Sequence, residues 1–505
     1  MRGSTAPGES RNLVREAGGL AAARLGIRVL GILVGWVVAR VIGPEGLGRL
    51  SIPNLVLAAA PFLTLGFPDA LVRELPLARG EPGLERRLTQ TSWFMSLILA
   101  AALALLAVLA RGALGSWFAD ALLFWLALLS GACHAAFKVS YSTYTGRRRV
   151  ADLARLQMIQ GALRAALVLV LLAALPAGAQ VYALHAGVAV SLLGSVAWAA
   201  RHGGAEWPRF DRQANRLLWR SGPPMALAAL CMLLLVSGDR LVMSRVLPLP
   251  ALGLFEQGVL MRDGLLLLPA VLLTVLIPDY SARQGDPAAR KTLLQDVSRQ
   301  MGLVAVGTPV LLGLTLLQLP WLFALLLPRF LPGLPLFQLT VVAMAPVFLS
   351  YIPVSLLMSE GRAALVGLVA ALCLGSMLVA DLGAPPAWLA ESLRGLGGTA
   401  GGMPGLSHAL WGGLVALAGF WAYALAILAL SWRRYGFPTA RLLGWLAPNV
   451  ALTLAALAAL GAGALRDWNP WTNLAALAAA LLLLAIHQRR TGQLSKVWRA
   501  RRAPK

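Results

Sequence analysis

Basic side chains inside long apolar stretches are the residues of this sequence with the clearest potential for chemistry. In the first half of the chain they are Arg24, Arg28, His134, Lys138 and Arg164. An ionisable residue at membrane depth costs at least about 2.5–3.5 kcal/mol, so it usually faces a cavity or a partner. Guanidinium and ammonium groups suit phosphate oxygens. These five residues predict a cationic, water-filled cavity that accepts an anionic group, with snorkelling or structural ion pairs as the alternative for each.

Carboxylates inside apolar stretches are fewer, and those singled out by position lie in the second half of the chain. Glu256 and Asp263 are seven residues apart, which places them on one helix face. Arg262 is next to Asp263, so a local or cross-helix ion pair is an alternative to a functional role. The Asp239-Arg240 pair is at the predicted outer end of a span, where anchoring at the interface is equally compatible with its position.

The composition identifies the class of protein that must position these groups. The chain has 505 residues, of which 58% are hydrophobic and only 13% charged, with a formal net charge of +23 and a mean hydropathy of +0.73. These values exclude a disordered chain, a collagen-like fibre and an ordinary soluble globule. The three cysteines all lie in apolar runs, so no disulfide framework is expected. The sequence predicts an all-α polytopic membrane protein.

A spanning helix needs about 20 mostly apolar residues, and this criterion gives about fourteen candidates. Their approximate bounds are 17–42, 50–68, 91–110, 121–145, 153–175, 180–200, 217–238, 252–277, 299–319, 334–357, 363–381, 407–431, 441–463 and 471–487. With the N-terminus inside, the inner segments carry 31 of the 44 Lys and Arg residues and the outer segments carry 8. This bias predicts a multi-pass protein with cytoplasmic N- and C-termini. No basic domain stands apart from the membrane, so we expect no nucleic-acid partner.

Two parts of the sequence repeat each other. Residues 40–50 read RVIGPEGLGRL and residues 245–255 read RVLPLPALGLF, 205 positions later. PDALVRE at 68–74 is matched by PDYSARQ at 278–284, and Gly146-Arg147 by Gly361-Arg362. Six spans separate each pair, so both copies have one orientation, as in transporters built from two parallel repeats.

The repeat divides the chain into two six-helix lobes with additional segments. The predicted units are an N-terminal cytoplasmic segment (1–16), the first lobe (17–200), a linker (201–216), the second lobe (217–431), two extra spans (441–487) and a basic tail (488–505).

Several motifs resemble polysaccharide flippases of the multidrug/oligosaccharidyl-lipid/polysaccharide exporter superfamily. They are IGPEGLGRL at 42–50, LGFPDALVREL at 65–75, SGDRLVMSRVLPLPALGLFEQG at 237–258, VLIPDYS at 275–281 and SEGRAALVG at 359–367. Their order and spacing cover the first twelve spans. The resemblance implies two lobes around a central cavity that opens alternately to each side of the membrane.

The resemblance also implies an activity and its partners. The expected substrate is an undecaprenyl-diphosphate-linked saccharide, moved from the inner to the outer leaflet, with membrane lipids and a polysaccharide polymerase or ligase as partners. Basic cavity residues engage the diphosphate in such flippases. Some members use a proton or sodium gradient through cavity carboxylates, for which Asp69, Glu256 and Asp263 are the candidates here.

Other functions predict different sequence features. A drug or cation exporter of the same superfamily needs an acidic or aromatic cavity. A membrane glycosyltransferase or ligase needs a sizeable hydrophilic loop with a catalytic base and metal-binding carboxylates. A scaffold of a polymer-assembly complex would not depend on the basic residues. No P-loop, zinc spacing or nucleophile elbow is present in the sequence, so we expect a transporter rather than an enzyme, without cofactor or metal.

Overall fold

The computed structural model describes residues 7–62, 64–78, 81–110, 112, 120–147, 149–266, 276, 280, 283, 287–383, 385–386, 405–437 and 439–461. Side chains are described for these residues except 7–25, 28, 82, 287–291, 440 and 459–461. The predicted span at 471–487 and the basic tail lie outside the described residues.

Across these ranges the chain forms fifteen α-helices and no β-strand. The helices are α1 (Pro7–Arg49), α2 (Ser51–Ala59), α3 (Phe67–Leu77), α4 (Pro82–Leu109), α5 (Ala121–Gly146), α6 (Val150–Ala174), α7 (Ala183–Arg201), α8 (Arg212–Ser237), α9 (Asp239–Val246), α10 (Leu249–Leu265), α11 (Pro287–Leu326), α12 (Leu334–Ser359), α13 (Ala363–Leu382), α14 (Leu406–Tyr435) and α15 (Thr439–Gly461). Short 3₁₀ turns precede α7 and α12.

The prediction of an all-α polytopic membrane protein is confirmed. Eleven described helical segments are long and apolar enough to cross a membrane. They correspond to eleven of the fourteen predicted spans. Two more predicted spans, 50–68 and 252–277, overlap the shorter helices α2, α3 and α10.

The second span is broken, which corrects its predicted form as one continuous helix over 50–68. α2 ends at Ala59, turns occupy 60–62 and 64–66, and α3 then continues to Leu77. Pro61 has no backbone N–H and cannot continue the helical hydrogen bonding. Gly66 has a left-handed conformation with φ of 69°, which a glycine adopts without steric cost. The span therefore consists of two half-helices joined within the bundle.

The first helix is longer than predicted and also irregular. α1 begins at Pro7, within the predicted N-terminal segment 1–16, and extends to Arg49, beyond the predicted end of the first span at residue 42. The assignment of 1–16 as a cytoplasmic segment stays a prediction. Gly43 breaks its helical geometry with φ of 70° and ψ of −177°, immediately before Pro44. The residue before a proline is biased away from the α conformation, which explains the position of the kink.

Two halves of the molecule use the same packing scheme, which confirms the parallel repeat. We define the first half as α1–α7 and the second half as α8–α14. The pairs α1–α6, α3–α5, α4–α5, α5–α7 and α6–α7 of the first half recur as α8–α13, α10–α12, α11–α12, α12–α14 and α13–α14. The predicted lobe boundaries themselves remain predictions.

α15 lies outside this scheme and packs against α11 and α12. Its Asn449 side chain donates a hydrogen bond from Nδ2 to the Ala305 carbonyl of α11, at 2.9 Å. Within α11, that carbonyl would normally accept from the residue four positions later, but this residue is Pro309. The appended helix therefore supplies the donor that the proline lacks.

The two halves approach each other closely at the repeated motif. A Cβ atom at Gly48 of α1 would overlap the Leu249 carbonyl of α10, and one at Gly253 would overlap the Pro44 carbonyl of α1. Pro44 and Leu249 are 205 positions apart, as are Gly48 and Gly253, so the two contacts are related by the repeat. Only glycine allows the two backbones to approach this closely.

The connection between the halves is fixed to the first half. Glu206 lies 3.3 Å from Arg147 and 3.4 Å from Arg86, measured between carboxylate oxygen and guanidinium nitrogen. Arg147 also donates a hydrogen bond to the Gly203 carbonyl, at 2.8 Å. The predicted linker at 201–216 is therefore partly helical, because α8 begins at Arg212, and its non-helical part lies against the ends of α4 and α5.

Candidate functional site

The break in the second span brings two predicted site residues together. Lys138 lies on α5, eight residues before its end at Gly146, which is about 12 Å of helix rise. Asp69 lies in the first turn of α3, directly after the break. The Lys138 Nζ and Asp69 Oδ1 atoms are 2.9 Å apart, and the two side chains are 23% and 18% exposed. Nζ also lies 5.8 Å from the centre of the Phe62 ring.

His134 lies one turn before Lys138 and contacts the other side of the break. Its Nδ1 atom is 3.0 Å from the Leu57 carbonyl oxygen of α2, so the ring donates a hydrogen bond to that carbonyl. In an uninterrupted helix the Leu57 carbonyl would accept from residue 61, which here is Pro61. The structure thus gives the predicted anion ligand His134 a contact that stabilises the end of α2.

Among the described residues, no contact joins the remaining basic candidates of the first half to Lys138. Arg164 is half-buried on α6, which packs between α1 and α7. Arg24 and Arg28 belong to α1, but their side chains lie outside the described residues. Their assignment to an anion-binding cavity therefore remains a prediction.

A second group of charges lies in the second half, and all of its members except Asp263, which is 46% exposed, are sealed from solvent. Arg262 of α10 donates two hydrogen bonds to Asp239 of α9, at 3.0 and 3.3 Å. Arg240 lies 3.1 Å from Glu256 and 3.8 Å from Asp263. The exposed fraction is 3% or less for each of four side chains: Arg262, Asp239, Arg240 and Glu256. A small cavity is lined by Asp239, Arg262 and Thr340.

This buried network also joins the two halves. The Asn54 side chain of α2 donates a hydrogen bond from Nδ2 to Glu256 Oε1, at 2.9 Å. Glu256 therefore contacts Arg240 within its own half and Asn54 across the interface. A hydrogen bond to a buried charged acceptor is among the stronger ones in proteins, at about 1.5–3 kcal/mol.

Sequence reasoning missed several members of this network. Asp239-Arg240 was expected to be as compatible with the membrane interface as with a site, whereas both residues are 2% exposed inside the bundle. Asn54 carries no charge and gave no signal. Asp381, at the end of α13, is 1% exposed, and neither carboxylate oxygen has a hydrogen-bond partner among the described residues. An acid that closes an otherwise apolar helix was the available signal for it.

Comparisons with known proteins identify a family whose sequence profile matches this chain. The profile of a family described as polysaccharide biosynthesis protein matches residues 37–327. No curated protein matches the sequence significantly.

Solved structures show the same fold at low sequence identity. The lipid II flippase MurJ in an inward closed conformation has a TM-score of 0.59 and 13% identity, covering 94% of this chain and 99% of that one. An inward-facing multidrug resistance MATE family transporter of the MOP superfamily has a TM-score of 0.58 and 15% identity, with coverages of 82% and 98%. The eukaryotic MATE transporter AtDTX14 has a TM-score of 0.57 and 14% identity, with coverages of 89% and 99%.

Proposed function

Because this chain belongs to the polysaccharide biosynthesis protein family, we propose that it is a flippase for a polyprenyl-diphosphate-linked saccharide. It is a multi-pass membrane protein of the MOP superfamily, whose solved members with this fold are transporters and flippases. The family match over residues 37–327 is the observation that carries the proposal. The direction of transport is from the inner to the outer leaflet of the bacterial plasma membrane, and the chain acts as a transporter and not as an enzyme.

The physical task suits the groups found inside the bundle. A diphosphate-sugar headgroup cannot cross about 30 Å of hydrocarbon without polar contacts that replace its hydration. Lys138 is a partly exposed cation within a membrane span, next to an irregular segment of backbone. Irregular backbone at membrane depth is tolerated where it is buried in protein or lines a polar cavity. We therefore assign the diphosphate to Lys138, together with Arg164, Arg24 and Arg28.

Alternating access requires that the halves separate and rejoin. The parallel repeat supports this, because two similar halves can rock about an axis along the membrane normal. In the proposed cycle, the glycine contacts Gly48–Leu249 and Gly253–Pro44 close one side of the path. The loops with most basic residues face the cytoplasm. A polysaccharide polymerase or ligase receives the transported lipid-linked saccharide.

We propose that a proton or sodium gradient drives transport, through a carboxylate of the second half. Glu256 and Asp263, the candidates from sequence, both lie near Arg240, and Asp69 is paired with Lys138. Asp381 is buried without a hydrogen-bond partner among the described residues, and an ionised carboxylate in that setting is costly. A bound proton or cation would remove this cost. Asp381→Asn should abolish the dependence of the transport rate on the ion gradient in the assay below. An unchanged dependence would exclude Asp381 as the coupling residue.

The test is transport in liposomes that contain the full-length protein and a fluorescent polyprenyl-diphosphate saccharide. A membrane-impermeant quencher reports which leaflet holds the lipid. Lys138→Met should lower the transport rate about ten- to a hundred-fold, the loss expected for one charge-assisted contact to phosphate. Arg155→Met, which removes an exposed arginine of α6, is the matched control and should transport normally.

Each result of this assay has a distinct meaning. Transport that is equally fast in wild type and Lys138→Met would keep the flippase but exclude Lys138 from the site. Absence of transport by wild-type protein for several such lipids would contradict the proposed function. Export of organic cations by the same liposomes would then identify a drug exporter. If neither activity is detected, the scaffold role is the remaining explanation.

A further inference from the structure

Asp69 is placed where it can control access to Lys138. It lies in the first turn of α3, three residues after Gly66, the left-handed residue that ends the break. Its Oδ1 atom is 2.9 Å from Lys138 Nζ, a distance typical of a charge-assisted hydrogen bond. Its Oδ2 atom is buried and has no hydrogen-bond partner in the part of the chain that the structure describes. One oxygen is therefore committed to Lys138 and the other is unsatisfied.

The exposure of this pair sets it apart from a structural salt bridge. Lys138 remains 23% exposed and Asp69 18% exposed, so another anion can approach the ammonium group. A carboxylate and a phosphate oxygen compete for the same donor, because both are anionic acceptors with similar hydrogen-bond geometry. A ligand that binds Lys138 through phosphate must first displace Asp69 Oδ1.

We propose that Asp69 is a built-in competitor for the substrate diphosphate, which occupies Lys138 when the transporter is empty. This inference rests on the proposed function. Asp69 neutralises the membrane-embedded cation between transport cycles and thereby lowers the apparent affinity for the diphosphate. It is a positioning residue, since it acts on the substrate only through Lys138.

Displacement of Asp69 has a mechanical consequence because of where it sits. Asp69 is carried by the half-helix α3, and the segment 60–66 separates α3 from α2. α3 packs on α8 of the second half. A Cβ atom added to Gly222 of α8 would lie 2.9 Å from the Leu65 carbonyl oxygen, just before α3. When the diphosphate takes the place of Asp69, α3 loses its ion pair to α5 but keeps its contact with α8. Substrate binding thus weakens one tie between α3 and the rest of the first half.

The experiment measures binding of fluorescent farnesyl diphosphate, a short polyprenyl diphosphate, to the full-length protein in nanodiscs. Four proteins are compared: wild type, Asp69→Asn, Lys138→Met and the double variant. Asp69→Asn removes the competing charge and should bind about three- to thirty-fold more tightly than wild type, as expected when a competing state is eliminated. Lys138→Met should bind more weakly, and the double variant should resemble it. Glu45→Gln, which removes an exposed carboxylate paired with Arg49, is the control and should bind like wild type.

A gain of affinity separates a competitor from a merely structural residue, whose loss would weaken binding or leave it unchanged. If wild type binds the probe through Lys138 but Asp69→Asn binds no more tightly, the competitor role is wrong and the proposed function stands. If no form binds any polyprenyl diphosphate, the proposed function fails, and the competitor role with it. Size-exclusion profiles verify folding, and Asp69→Ser replaces Asp69→Asn if the latter does not fold.

Discussion

Lys138–Asp69 in the first half and Arg262–Asp239 in the second half have nearly equal nitrogen–oxygen distances, 2.9 and 3.0 Å. Their surroundings differ. The first pair is 23% and 18% exposed and uses one carboxylate oxygen, whereas the second is 3% and 1% exposed and uses both. Arg262 also lies 5.9 Å from the centre of the Phe420 ring. Distance alone does not distinguish the two pairs, but burial and the number of hydrogen bonds do.

This difference determines what each pair can do. A buried pair strongly resists separation, because either partner left alone is an uncompensated charge in a medium of low dielectric constant. A partly exposed pair gains little free energy, since water and other ions can replace either partner. The buried pair therefore suits a fixed part of the second half, and the partly exposed pair suits a site where one anion is exchanged for another.

The largest effect is expected from breaking the buried pair. Arg262→Met leaves Asp239 charged and unpaired, which should lower the free energy of unfolding by about 3–5 kcal/mol. The measurement is unfolding in mixed detergent micelles at increasing SDS, followed by tryptophan fluorescence. Arg155→Met, at an exposed ion pair of α6, should change the free energy by less than about 0.5 kcal/mol.

A double variant sharpens the same test. Arg262→Met with Asp239→Leu replaces both charges by apolar groups, and such replacements are often neutral or stabilising. The double variant should therefore recover most of the stability that Arg262→Met loses. If it is as unstable as the single variant, the loss comes from packing of the arginine side chain and not from the unpaired carboxylate.

A smaller effect is expected where the buried network crosses between the halves. Asn54→Leu removes the donor to Glu256 Oε1, which should cost about 1.5–3 kcal/mol in the same unfolding measurement. Ser376→Ala is the control, because its hydroxyl donates to the Cys373 carbonyl of the same helix, on an exposed face of α13. Equal stability of Asn54→Leu and wild type would mean that the hydrogen bond from Asn54 to Glu256 contributes nothing to stability.

The sequence predicted the fold more completely than the site, and the repeat shows why. Spans and orientation are predicted from the hydropathy and loop charge of many residues together, so an error at one position does not change the result. The 205-residue offset also corresponds to a structural feature, because Gly48 and Gly253 occupy equivalent positions in the contact between the halves. A repeat is visible in a single sequence, since both copies are present for comparison.

Partners across helices were harder to predict. His134 and Lys138 are four residues apart and share one face of α5, but Pro61, which leaves the Leu57 carbonyl free for His134, lies in the turn after α2. Asn54 and Glu256 are 202 positions apart and meet only because the halves dock. Helical periodicity defines the face of one helix, whereas an ion pair requires the relative position of two. Interhelical contacts of this kind could not be deduced from local spacing.

The smallest effect on stability should come from the partly exposed pair. Lys138→Met removes one ion pair whose partners keep access to solvent, so the free energy of unfolding should fall by about 1 kcal/mol or less. Asp69→Asn should have a similarly small effect, because the amide oxygen still accepts from Lys138. Both variants belong in the unfolding series with Arg262→Met. A loss for Lys138→Met as large as that for Arg262→Met would show that the pair is a structural element, and an anion could then not replace Asp69 without destabilising the first half.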